Sequence, residues 1–119
     1  MLFFSCNKDT TADKELMYGK WLTQDSTYYR FDRTSEQYAI HDGSTVAVNG
    51  ARWSAKVEED VSEDEAQPFV WSLDAADLTI VHQGYMGEKV PKTYTVKSQT
   101  KSSMQWKDDY GNTISLAKK

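Results

Sequence analysis

Histidine, cysteine and acidic side chains are the groups from which this chain would have to build a metal site or a catalytic centre. The only histidines are His41 and His82, and the only cysteine is Cys6. Their separations match no zinc-binding spacing, and the sequence has no Gly-x-Ser-x-Gly elbow and no glycine-rich phosphate loop. The residues therefore predict no metal, no cofactor, no catalytic residues and no enzyme.

The densest charge lies in residues 58–65, which contain six acids: Glu58, Glu59, Asp60, Glu63, Asp64 and Glu65. Such a run could attract calcium, but it lacks the glycine and the ligand spacing of an EF-hand loop. Two interpretations stay open, a specific ion site and a solvated loop whose like charges repel, and the second is preferred. The net charge is −4 and no basic run is interleaved with aromatics, so nucleic acid is not an expected partner.

Alternating apolar and polar residues dominate the chain from residue 19 onward. They predict nine strands, at 21–24, 27–32, 36–41, 51–58, 68–73, 78–83, 90–98, 102–107 and 113–117. A tenth strand at 46–48 would end at an Asn49-Gly50 turn. Before them, residues 12–18 predict one or two helical turns with Asp13 as the N-cap. A chain of 119 residues suits one domain, and we place it at residues 12–119.

Short connections between these strands force neighbouring strands to be antiparallel. An up-and-down meander of this length either closes into a barrel or leaves two exposed edges. We therefore predict an all-β, antiparallel barrel of about eight to ten strands, with a two-sheet sandwich as the rival. His41 is expected to end a strand and His82 to lie at the barrel rim.

The order of these features resembles the lipocalins and the wider calycin group. A short N-terminal turn precedes Gly19-Lys20-Trp21, which opens the first strand of the meander. Closer still is the resemblance to small lipocalin-like lipoproteins of Gram-negative envelopes. It covers most of residues 16–118, and the supporting stretches include Tyr29-Arg30-Phe31-Asp32, Phe69-Val70-Trp71-Ser72-Leu73, Tyr94-Thr95-Val96 and Ser103-Met104-Gln105-Trp106.

The resemblance implies structural roles for three residues. Gly19 would allow the sharp passage from turn to strand, and Trp21 would fill the closed end of the barrel. A basic side chain from the last strand would stack on that indole, and Lys118, rather than Lys119, is the candidate. This chain has lysine where arginine is common, and it lacks both the long helix after the barrel and the disulfide of many members.

The N-terminus resembles the end of a bacterial lipoprotein signal. In Leu2-Phe3-Phe4-Ser5-Cys6, a short apolar run and a small residue precede the cysteine, which would become lipidated. Residues 1–11 are then a signal remnant and a polar tether. This predicts a monomer in the cell envelope, anchored through Cys6 to the outer membrane. The alternative is an apolar terminus with an incidental thiol.

A barrel of this kind implies a small hydrophobic or amphipathic ligand near an open mouth. The predicted ligand-binding residues of the interior are Phe31, Tyr38, Trp53, Trp71, Tyr94 and Trp106, among inward faces that also include Tyr29, Ile40, Phe69, Leu78, Ile80 and Met104. So many aromatics could instead fill the barrel, which would then be a protein-interaction or envelope-assembly module. A sugar platform of Tyr28, Tyr85 and Tyr110 is a weaker alternative, and an enzyme ranks below the two main hypotheses.

Overall fold

The computed structural model describes residues 12–55 and 66–119, which form one 3₁₀ turn and eight strands. The turn is Lys14–Leu16, with Asp13 as its N-cap. The strands are β1 (Gly19–Thr23), β2 (Thr27–Ala39), β3 (Thr45–Ser54), β4 (Gln67–Asp74), β5 (Asp77–Gln83), β6 (Lys89–Gln99), β7 (Ser103–Asp108) and β8 (Thr113–Lys118). Each is antiparallel to the next and β8 pairs with β1, which confirms the predicted all-β, closed up-and-down barrel with an N-terminal helical turn.

Trp21 fills the end of the barrel at which β1 starts, the plugged end. Its ring is fully buried, and its Nε1 donates a hydrogen bond of 2.9 Å to the Met17 carbonyl. Lys118, its register partner across the β1–β8 closure, places Nζ 5.0 Å from the ring centroid. Gly19 has φ of +119°, and a Cβ there would lie 2.5 Å from Lys118 Cε. The contact that the resemblance implies is thus present, with lysine as the cation.

The chain before β1 covers the plugged end from outside. The Ala12 N–H donates to the Ala75 carbonyl in the β4–β5 connection, at 3.0 Å. The Tyr18 ring meets Trp71 edge to face at 5.6 Å, and the Arg33 guanidinium lies 4.2 Å from the Tyr18 centroid. Because the strands alternate in direction, the connections after β1, β5 and β7 all lie at the opposite end, the mouth.

Aromatic rings fill the middle of the barrel. Tyr29, Phe31, Phe69, Trp71 and Trp106 are buried together, with neighbouring centroids 5.1 to 6.3 Å apart. Each such pair contributes about 0.5–1.5 kcal/mol beyond the burial of its surface. The apolar residues packed around them are Met17, Trp21, Leu78, Ile80, Val96, Met104 and Leu116. This packing favours a filled interior over a deep cavity.

Two long strands explain why there are eight strands instead of the nine or ten of the sequence pattern. The predicted turn at 33–35 is a shift of the β2–β3 register between Phe31 and Glu36, within one strand. The predicted Asn49-Gly50 turn is also wrong, because β3 continues through it. The Phe69 ring lies where a Gly50 Cβ would be, so this glycine serves close packing of the wall.

The outer part of the β2–β3 hairpin leaves the barrel wall. Residues 36–39 pair with 45–48, whereas β1 pairs with β2 only as far as Phe31, and β4 with β3 only as far as Gly50. We call residues 36–48 the ribbon. Its tip is fastened to the β5–β6 connection, where the His41 N–H donates to the Tyr85 carbonyl at 2.9 Å.

Candidate functional site at the barrel mouth

The six predicted ligand-binding residues separate into two groups. Phe31, Trp71 and Trp106 lie in the buried core, and Tyr94 is half-buried against it. Trp53 and Tyr38 are not part of that core.

Trp53 lies on the outer face of the wall, contrary to the prediction. It is the register partner of Tyr28, which faces outward because it alternates along β2 with the core residue Tyr29. The Trp53 and Tyr28 rings stack with their centroids 5.1 Å apart. Lys20 Nζ lies 5.9 Å from the Trp53 centroid, and the residue is only 8% exposed. Alternation along a strand defines two faces but does not say which is inward. Burial of aromatic rings favours the Trp53 face as the inward one, yet stacking on Tyr28 shields this ring outside the barrel.

Tyr38 is also outside the interior, because it belongs to the ribbon. It pairs with Val46 beyond the point at which the ribbon leaves the wall, and it is half-buried over an outer groove. Ile40 follows in the same ribbon. The error comes from treating residues 36–41 as a separate wall strand.

An arginine instead occupies the inward face of β3 near the mouth. Arg52 is the register partner of Tyr29 and of Gln67, and its guanidinium donates to Gln67 Oε1 at 3.3 Å. Within the described residues it makes no ion pair with a carboxylate. Alternation predicts that Arg52 lies on the face opposite Trp53, and the structure confirms this. Because the prediction has Trp53 facing inward, it has Arg52 facing outward and does not anticipate a charge on the inner face.

His82 lies beside Arg52 at the mouth end of β5, in agreement with the predicted rim position. Its imidazole meets Phe69 edge to face at 5.8 Å and is 8% exposed. Its Nδ1 is buried and has no hydrogen-bond partner within residues 12–55 and 66–119. Burial, followed by the charges of Arg52 and Lys92, lowers the pKa of His82 to about 4. The imidazole is therefore neutral at pH 7.

Lys92 extends the positive charge across the mouth. As register partner of Ile80 it lies on the inward side of β6, on a stretch that continues beyond the β6–β7 pairing. Deeper in, burial followed by the nearby Tyr29 raises the pKa of the Tyr94 hydroxyl. The fully buried Trp106 Nε1 also lacks a hydrogen-bond partner in the part of the chain that the structure describes. A buried polar atom without a partner costs about 1–3 kcal/mol, so both atoms favour a polar group arriving from the mouth.

Exposed apolar side chains surround the mouth. Tyr85 and Met86, which is 63% exposed, lie in the β5–β6 connection, and Val90 is the second residue of β6. Tyr110, 90% exposed, lies in the β7–β8 connection. Tyr28 stacks on Trp53 elsewhere on the outer wall, so the three tyrosines considered for a sugar platform do not share one surface.

The structure does not describe three features that the sequence analysis considered. They are Cys6, the tether and the acidic run at 58–65, which lie outside the described residues. Among the residues that are described, no group of three potential metal ligands occurs. No helix in residues 12–55 or 66–119 is long and apolar enough to cross a membrane.

Comparison with known proteins gives no assignment. No protein family matches the chain, and no curated protein sequence and no solved structure is significantly similar to it.

Proposed function

We propose that this chain is a lipocalin-like binding protein that takes an anionic amphipathic small molecule at its mouth. The observation that carries the proposal is the buried Nδ1 of His82, which has no partner among the described residues and lies beside the inward-facing Arg52 and Lys92. An acidic group of a ligand would accept hydrogen bonds from the guanidinium and balance the two cations. Its apolar part would lie on the rim at Val90 and Met86, because aromatic rings fill the space below.

Calorimetric titration with dodecanoate, dodecanol and dodecyltrimethylammonium tests this proposal. These probes share a chain and differ in the charge of the head group, and we expect dodecanoate to bind best. Arg52→Met should weaken dodecanoate binding by about tenfold or more, as expected for a lost charge-assisted hydrogen bond. Arg33→Met, at the plugged end, removes the same charge and should leave the affinity unchanged. Equal affinities for the three probes would contradict an anion site.

Lipid anchoring through Cys6 is the second part of the proposal. The Ser5-Cys6 pair after an apolar run supports it, and so does the position of Ala12 at the plugged end. A tether leaving from there would direct the mouth away from the membrane of the cell envelope. Metabolic labelling with an alkyne fatty acid in a Gram-negative host should modify the chain, and Cys6→Ser should abolish the label. Equal labelling of both proteins would exclude Cys6 as the acceptor.

A protein-interaction module is the second candidate function. The filled interior and the exposed Tyr85, Met86 and Tyr110 favour it, since exposed aromatics and methionine are enriched in interfaces. A photo-crosslinking amino acid at Tyr110 should then give one discrete adduct in the envelope. The same group at Lys101, near the plugged end, should not give that adduct. Native mass spectrometry of the purified protein would instead show a bound small molecule if the first function holds.

A further inference from the structure

The ribbon and the outer face of the wall form a groove separate from the mouth. Its volume is about 430 Å³, and it is lined by Arg30, Asp32, Glu36, Tyr38, Ala51 and Pro68, among others. Arg30 and Ala51 are register partners, and Arg30 alternates along β2 with the core residues Tyr29 and Phe31. The groove therefore lies outside the barrel, at the base of the ribbon.

Small apolar groups form one side of the groove. Val48, Ala51 and Pro68 are buried, although none of them belongs to the core cluster of the barrel. Ala51 and Pro68 face each other across the β3–β4 pairing, and their short side chains leave a flat surface between the strands. Tyr38 adds an aromatic ring from the ribbon. This side suits a flat apolar body.

Charged groups line the rest of the groove, and they are not balanced. Arg30 donates two hydrogen bonds to Asp32, from Nε to Oδ1 at 2.9 Å and from Nη2 to Oδ2 at 3.3 Å. Glu36 is exposed and makes no ion pair within the described residues. Among the described residues that line the groove, one guanidinium thus stands against two carboxylates, so their charges favour a cation.

We propose that this groove binds a small primary amine with a flat aromatic body, the class of the arylalkylamines. The ammonium group pairs with Glu36, with the Tyr38 ring near the cation, and the aromatic body lies on Ala51 and Pro68. The volume accommodates a bicyclic ring with a two-carbon arm. This site is independent of the mouth and of the function proposed for it.

An NMR titration of the ¹⁵N-labelled full chain at pH 7 tests the site. The probes are tryptamine, tryptophol and indole-3-acetate, which share the indole and carry positive, zero and negative charge. We expect saturable shifts of the Glu36, Val48 and Ala51 amides with tryptamine. Tryptophol should bind about two- to fivefold more weakly, the range for a partly exposed ion pair. Indole-3-acetate should bind more weakly still.

Glu36→Gln should weaken tryptamine binding by the same factor and leave tryptophol binding unchanged. The substitution is on the exposed ribbon, so the fold should persist, and an unchanged melting temperature checks this. Asp77→Asn, which removes a carboxylate at the plugged end, should leave tryptamine binding as it was. Tryptamine shifts confined to the mouth, equal binding of tryptamine and tryptophol, or an absence of saturable shifts would each overturn the proposal.

Discussion

Trp21 links three parts of the chain through one side chain. Its indole donates to the Met17 carbonyl in the segment before β1, stacks under a lysine of β8, and is fully buried between the first and last strands. The ring therefore stabilises the closure of the barrel as well as its core.

We expect Trp21→Ala to lower the free energy of unfolding by about 3–5 kcal/mol, the usual range for a buried large aromatic side chain. Trp21→Phe should cost less, because it keeps most of the apolar surface and loses the hydrogen bond to Met17. Chemical denaturation followed by circular dichroism measures both variants. A Trp21→Ala protein as stable as the wild type would show that the plug does not support the barrel.

His82 should make stability depend on pH. Its native pKa of about 4 lies below the ordinary value of 6.5. Between these values the unfolded chain binds a proton that the native protein does not, so stability falls as pH falls through that range. The loss should reach about 3 kcal/mol between pH 7 and pH 4.

The measurement compares denaturation curves of the wild type and of His82→Gln across that range. Because all carboxylates are common to both proteins, the difference between the curves isolates the imidazole. Parallel curves would mean that His82 titrates normally in the native state. An anionic ligand beside His82 would raise the pKa of the imidazole, so the ligand should bind more tightly at pH 5 than at pH 7.

At the scale of elements, Asn49 holds the wall together where β3 and β4 diverge. Its Oδ1 accepts from the Trp71 N–H at 2.8 Å, and its Nδ2 donates to the Trp71 carbonyl at 3.3 Å. The Trp71 indole donates to the Asn49 carbonyl at 3.1 Å. The Asn49 side-chain amide thus makes the two hydrogen bonds to the Trp71 backbone that a residue of a paired neighbouring strand would otherwise make.

We expect Asn49→Ala to cost about 1–3 kcal/mol, because it leaves the Trp71 backbone groups without partners. Hydrogen exchange of the Trp71 amide should accelerate more than exchange in β6 or β7. Asn112→Ala, which removes an amide bonded to Asp108 in an exposed turn, is the matched control and should leave Trp71 protection unchanged. Unchanged protection in Asn49→Ala would place the support of this wall elsewhere.

For the molecule as a whole, closure makes every strand depend on both of its neighbours. β1 contacts β8 as well as β2, and the core side chains come from every strand except β3, with Met17 added from the segment before β1. We expect one cooperative unfolding transition, with tryptophan fluorescence and far-ultraviolet circular dichroism giving the same midpoint. Fluorescence includes Trp53 on the outer wall, so an early fluorescence transition would reveal a separately unfolding β2–β3 hairpin.

Local patterns in the sequence determine much of this architecture. Alternation, short connections and the capped turn before Gly19 specify antiparallel strands in order, and the resemblance that Gly19-Lys20-Trp21 carries implies the plug with its Lys118 contact. These features depend on residues close together in the sequence, or on closure of the barrel, which leaves no strand edge unpaired. Local sequence does not specify the strand ends, because Asn49-Gly50 suits both a turn and a close-packed strand.

Only the tertiary structure decides which face of a strand is inward and which side chains come together at the mouth. A period of two leaves the two faces of β3 equivalent until its neighbours are known, so Trp53 lies outside and Arg52 inside. The approach of Arg52, His82 and Lys92 joins strands distant in sequence, and the groove depends on where the ribbon leaves the wall. The sequence alone therefore determines the barrel and its plug, whereas both candidate binding sites arise from long-range packing.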